Sequence, residues 1–193
     1  MVKTENLALI VFGAFFVFSM LMILQIRVTG FATTGSTVSN VTISSYLSIS
    51  MSGNLSQGVL FGTISTLPAT NQNSTNNNNS AGSTSMFINV SSDSNTAVDV
   101  CIKSNAHLTD STNMNTLGIG NESYANSTTL SATVPEIARE ISLTTAYVKA
   151  GTSVAAGGAD YYRFYLDVPV AQATGTYNNT INFEGVAAGQ SCS

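Results

Sequence analysis

The sequence predicts an all-β fold, an antiparallel β-sandwich of immunoglobulin-like or jelly-roll-like kind with about eight strands, preceded by one long hydrophobic N-terminal α-helix. Three observations predict it. An uncharged apolar run fills the chain before Arg27, apolar and polar residues alternate with period two after it, and clusters of Gly, Asn and Ser separate the alternating stretches. The expected division is residues 1–32 for the helix and 33–193 for the extracellular β domain.

The helix comes first. Between Leu7 and Ile26 no residue is charged and none is proline. At about 1.5 Å per residue that stretch spans about 30 Å, the thickness of a bilayer's hydrocarbon core. It is expected to enter a membrane or the core of an assembly, with Phe12, Phe15, Phe16 and Leu21 as the packing residues. Gly30-Phe31-Ala32 resembles the small-x-small pattern before a signal-peptidase cut, but the apolar run exceeds the usual length of a cleaved signal, so retention is the expectation.

The strands follow from alternation. Val41, Ile43, Leu47, Ile49 and Met51 share one face of a first strand; Met86, Ile88 and Val90 mark a second, and Val98, Val100 and Ile102 a third. The strongest pattern places Tyr162, Phe164, Leu166 and Val168 on one face, with Tyr161, Arg163, Tyr165 and Asp167 on the other. Tyr177, Ile181 and Phe183 mark a last strand. Weaker candidates cover residues 59–65, 130–134 and 143–148. Residues 136–142 are the only helical candidate after the first segment. The low-complexity stretch at 71–85 reads as a long loop.

Composition narrows the function classes. Charged residues are only 8% of the chain and the net charge is −4, against about 25% charged in ordinary soluble domains. Past Arg27 the only cations are Lys103, Arg139, Lys149 and Arg163, too few and too scattered to follow a phosphate backbone, so nucleic acid is not an expected partner. The two cysteines, Cys101 and Cys192, are expected to form one disulfide that fastens the C-terminal tail. Closing a loop of about 90 residues contributes about 4–5 kcal/mol in the chain-entropy picture.

The N-x-S/T pattern occurs at Asn40, Asn54, Asn73, Asn78, Asn89, Asn121, Asn126 and Asn178. These are glycosylation candidates in a chain beyond the membrane. Asn89 and Asn178 fall out of phase with their strands' apolar residues and are expected to face solvent.

No catalytic constellation emerges, and the chain is not expected to be an enzyme. His107, the sole histidine, sits in a polar stretch beside Asp110 and Ser111, whereas working triads assemble from distant segments. Glu136 and Glu140 are the nearest approach to a carboxylate pair. Without tryptophan platforms they do not suggest a glycosidase. Gly118 and Gly120 lack a nucleotide loop's third glycine and its strand–helix context. No metal site and no cofactor is expected. Tyr161, Arg163 and Tyr165 form the best candidate contact face, although packing against a loop or a neighbouring subunit explains the same pattern.

The C-terminal stretch combines the tyrosine-rich strand, Pro169, the Gly175-Thr176-Tyr177 turn and a terminal Cys192. In this it resembles small surface proteins of uncultivated small-genome (DPANN-type) archaea. The resemblance implies a lineage and a cell-surface location rather than an activity. An N-terminal hydrophobic helix followed by a β-sandwich also resembles archaeal type IV pilins and archaellins, whose helices bundle inside a filament that glycosylated sandwiches coat. One departure is that MVKTENLA lacks a basic residue followed by Gly or Ala before the apolar run.

These readings lead to an expected pilus-like structural subunit, polymerising with itself through the N-terminal helix and placed at the cell surface. The alternatives are a membrane-anchored adhesin or envelope-coat protein touching other cells or envelope glycans, and a strand-exchange subunit. In the last, the stretch from Val38 to Met51 would complete a neighbour's sheet after removal of the helix.

Overall fold

The computed structural model describes residues 4–24, 36–77 and 85–193, with side chains of the first stretch described over 10–22. The Gly30-Phe31-Ala32 site, the boundary at residue 32 and Asn78 lie outside the described residues. The chain divides into two compact units, Met1–Thr42 and Ile43–Ser193.

In the first unit, helix α1 covers Thr4–Leu24. Its described side chains are apolar on every face apart from Ser19, and they are exposed, Phe12 at 81% and Phe15 at 75%. Among the described residues no helix is long and apolar enough to cross a membrane.

The second unit is mostly β. Its elements are β1 (Ile49–Met51), the single-turn helix α2 (Gly53–Ser56), β2 (Ala69–Asn73), β3 (Met86–Val90), β4 (Val98–Ser104), β5 (Leu108–Asp110), β6 (Asn115–Leu117), β7 (Glu122–Ser127), β8 (Ile141–Ser142), β9 (Val148–Val154), β10 (Ala159–Val168), β11 (Tyr177–Asn178) and β12 (Ile181–Ala187). All pairings are antiparallel. A large sheet runs β1-β3-β10-β7-β8, with β2 also bonded to β10; a second runs β12-β4-β9 and a small third β11-β5-β6.

Alternation builds the core. Met86, Ile88 and Val90 of the large sheet meet Val98, Val100 and Ile102 of the second, with Tyr124, Tyr162, Phe164 and Val154 among them, all nearly inaccessible. Each fully buried side chain of this size contributes about 1.5–3 kcal/mol. The Tyr162 ring lies 5.3 Å from Phe183 of the second sheet in an edge-on contact and 6.1 Å from Phe164 in a stacked one. Apolar faces of two antiparallel sheets sharing one core are compatible with a β-sandwich. A second cluster, Ala69, Leu108, Leu117, Leu166 and Val168, ties the end of β10 to the small sheet.

Several expectations are corrected. Residues 36–48 hold no strand, and only Ile49–Met51 pairs. The 91–95 turn bonds residues 44–48 through both side chains and backbone: Tyr46 N donates to Asn95 Oδ1 at 2.7 Å, Asn95 Nδ2 to the Ser44 carbonyl at 3.0 Å and Ser48 N to Ser94 Oγ, while Ser91 N and Asn95 N donate to the Ser48 and Tyr46 carbonyls. Residues 59–65, 130–134 and 143–147 are not strands. Residues 136–142 form a 3-10 turn, Ile137–Arg139, followed by β8. The low-complexity stretch begins inside β2, where Asn73 pairs with Tyr165.

Candidate functional site

The disulfide is present. Cys101 and Cys192 are joined with Cα atoms 6.0 Å apart and a sequence separation of 91. Alternation puts Cys101 on the outer face of β4, with Asp99 two residues earlier and the C-terminal tail over both. Asp99 is buried and accepts from Lys149 Nζ at 2.6 Å, Ser153 N at 2.7 Å and Gly189 N at 2.9 Å. Burial pushes its carboxyl upward, but the hydrogen bonds from Lys149, Ser153 and Gly189 outweigh it and hold the group below the ordinary carboxylate range. Glu184 engages both the backbone N–H and the hydroxyl of Ser193. The tail is thus fixed covalently and by two carboxylates.

The candidate contact face is corrected. Arg163 and Tyr165 are buried, 6% and 2% exposed. Arg163 Nη2 donates to the carbonyls of Ser131 at 2.6 Å and Val134 at 3.1 Å, so the loop after β7 lies over this face of the large sheet. Only Tyr161 stays partly open, its ring 5.5 Å from Phe87.

The sequons separate by what their amides already do. Asn40, Asn73 and Asn178 are exposed and Asn89 is half-buried. Asn54 Nδ2 donates to the Asn76 carbonyl at 2.6 Å, and Asn121 Nδ2 to Gly118 at 3.1 Å. Asn126 Nδ2 lies 3.0 Å from each oxygen of buried Asp160, so a sugar there would displace a bond to an acid with few alternatives.

His107 and Asp110 do not converge into a catalytic pair. His107 Nδ1 accepts from Ile119 N at 2.9 Å, while Asp110 accepts from Thr112 N and Asn113 Nδ2. The Asn113 bond, reinforced by Thr112, keeps Asp110 below the ordinary range. Glu136 faces Arg139 across 3.8 Å in an exposed pair and Glu140 accepts from Ser123, so these carboxylates serve different partners. Among the described residues no three His, Cys, Asp or Glu side chains lie close enough to hold a metal ion.

Three polar groups went unread in the sequence. Glu122 and Asp160 are buried, and desolvation pushes both carboxyls above the ordinary range against opposing hydrogen bonds. Tyr124 is pushed up to about 12, by burial and then by nearby Asp160. No local signal marks the two carboxylates, because they bond to amides far off in sequence: Glu122 accepts from Asn179 at 2.7 Å across a separation of 57 residues and Asp160 from Asn126 across 34.

Glu122 stands where two openings meet. One is a cavity of about 260 Å³ at the edge where β1 and α2 face β12, lined by Met51, Leu55, Ile181 and Phe183. The other is a groove of about 820 Å³ between the 59–67 segment and the small sheet, lined by Phe61, Ile64, Leu117, Val168 and Tyr177. Mixed walls, with one buried carboxylate among threonines and the amides of Gln172, Asn178 and Asn179, provide recognition rather than a nucleophile and its base. No family model, curated protein or solved structure matches this chain.

Proposed function

We propose that the chain is a structural subunit of an extracellular surface filament, joined to its copies through α1, with the β unit outside. The observation that carries this reading is the helix surface. From Ile10 to Met22 the helix presents apolar side chains all round, Phe12, Phe15, Phe16 and Leu21 among them, each at least half exposed. A helix apolar on every face is stable only when something encloses it, and copies of itself or lipid do so. The β unit supports the same reading: it has its own core, a stapled tail, and exposed sequons at Asn73 and Asn178 suited to glycans. The immunoglobulin-like or jelly-roll-like sandwich and the archaeal origin belong to this proposal.

The test is antibody labelling of the β unit in electron micrographs of sheared appendages. Label along filaments is expected; label confined to the cell envelope overturns the filament.

The open groove favours a second reading, an anchored adhesin or envelope-coat protein. Its volume and apolar lining fit a ligand group from another cell or layer. Binding of the full chain to cells that lack it, abolished by Phe61→Asp and retained by Phe15→Lys, would select this reading over the filament.

A further inference from the structure

The second sheet has two edges, and they differ. On β9 the pairing with β4 shifts register twice and Ser153 adopts a left-handed φ of 51°, while Lys149 is tied to Asp99 of β4. Bulges and irregular backbone blunt an edge against further pairing. On β12 the register with β4 runs unbroken from Ile181↔Ser104 to Ala187↔Val98, without proline or lysine. Its only charged residue, Glu184, is tied to Ser193.

The free backbone groups of β12 can be assigned. Asn105 N donates to the Thr180 carbonyl and Ala188 N to the Ala97 carbonyl, so even-numbered residues from 180 to 188 point their N–H and C=O groups at β4. Ile181, Phe183 and Gly185 therefore aim theirs outward, and no backbone or side-chain partner meets them among the described residues. The side chains of Ile181 and Phe183 border the 260 Å³ cavity beneath. This edge lacks both a strand and the side chains that would fill the space below it.

The chain carries a matching surplus. Residues 36–43 have no regular structure and make no hydrogen bond among the described residues, and Val41 and Ile43 are 83% and 79% exposed. Val41 and Ile43 fall on one face of an extended strand, with Asn40 and Thr42 on the other, so a glycan at Asn40 would point away from the apolar side. The segment is uncharged in a chain of net charge −4, so it can approach an acidic body without repulsion.

We infer that residues 36–43 of a second copy add as a strand to the free edge of β12, bonding Ile181, Phe183 and Gly185 and placing Val41 and Ile43 over the cavity. Donor and acceptor are different surfaces, so the contact is head-to-tail and generates an open array rather than a closed dimer. It deepens the filament reading with a second connection that does not depend on α1.

Hydrogen exchange on the full chain in dodecyl maltoside, with and without a synthetic peptide of residues 36–43, tests it. Exchange at Ile181, Phe183 and Gly185 is expected to slow by about tenfold or more, while Asn182 and Glu184, already bonded to β4, change little. A peptide carrying Val41→Pro and Ile43→Pro has no effect. In the full chain, the same three amides slow as protein concentration rises. The doubly substituted chain loses that dependence but keeps its urea midpoint, since both positions are exposed and unbonded. No slowing at millimolar peptide overturns the inference. So does slow exchange that ignores concentration, because the chain's own segment would then occupy the edge. A Phe15→Lys/Phe16→Lys chain separates the two contacts: it disrupts helix association and keeps the peptide effect.

Discussion

Phe15 and Phe164 are the same residue with opposite fates. Phe164 is inaccessible, stacked on Tyr162 between two sheets, whereas Phe15 is 75% exposed on helix α1. The β unit encloses a core of its own and α1 does not, so the stability of one and the assembly of the other should fail separately.

The largest separation is expected at those two positions. Phe164→Ala empties the centre of the core and should cost about 3–5 kcal/mol, read as a lower urea midpoint. Phe15→Ala should leave that midpoint within about 0.5 kcal/mol. Equal losses at both sites would break the comparison.

Next comes the staple. Reduction, or Cys101→Ser with Cys192→Ser, removes a cross-link spanning 91 residues and should cost about 2–5 kcal/mol. The midpoint should fall with reductant, while helix-driven assembly persists.

A smaller effect is expected at Asp99. Asp99→Ala leaves the Ser153 and Gly189 N–H groups and Lys149 without their acceptor, at about 1–3 kcal/mol. The folded carboxyl is held low, so its contribution is complete above the unfolded value and is lost as pH falls through the folded one. The acid limb of a stability–pH curve should flatten in the variant.

The smallest is expected at Glu122, with the opposite sign. Its folded pKa is raised, so the native state binds more protons and stability declines as pH rises from the unfolded value through the folded one. Glu122→Gln keeps an oxygen for Asn179 and removes the charge. It should match wild type in mild acid and equal or exceed it at neutral pH.

How much of this was legible depended on whether the signal was local. β10 could be read from the sequence because Tyr162, Phe164, Leu166 and Val168 alternate strictly, and the disulfide because only two cysteines exist. β7 sits beside β10 at the heart of the large sheet, yet it reads Glu-Ser-Tyr-Ala-Asn-Ser and shows no apolar period. Two of its polar side chains find partners elsewhere, Glu122 in Asn179 and Asn126 in Asp160, and composition does not reveal such pairs. β2 was hidden in the same way, because its exposed Asn and Gln side chains belong to an outer strand bonded through its backbone. The contact face failed for a third reason: Arg163 looks like a surface residue until the carbonyls of Ser131 and Val134 fold over it.

The division of labour between helix and sheets is tested most directly by sedimentation of the full chain in detergent-free buffer beside its Phe15→Lys/Phe16→Lys variant. If α1 supplies the main assembly contact, wild type sediments as large species and the variant shifts to smaller ones, held only by the strand contact and dissociating on dilution, with the two urea midpoints equal. A variant that stays fully assembled, or whose β unit loses stability, would contradict it.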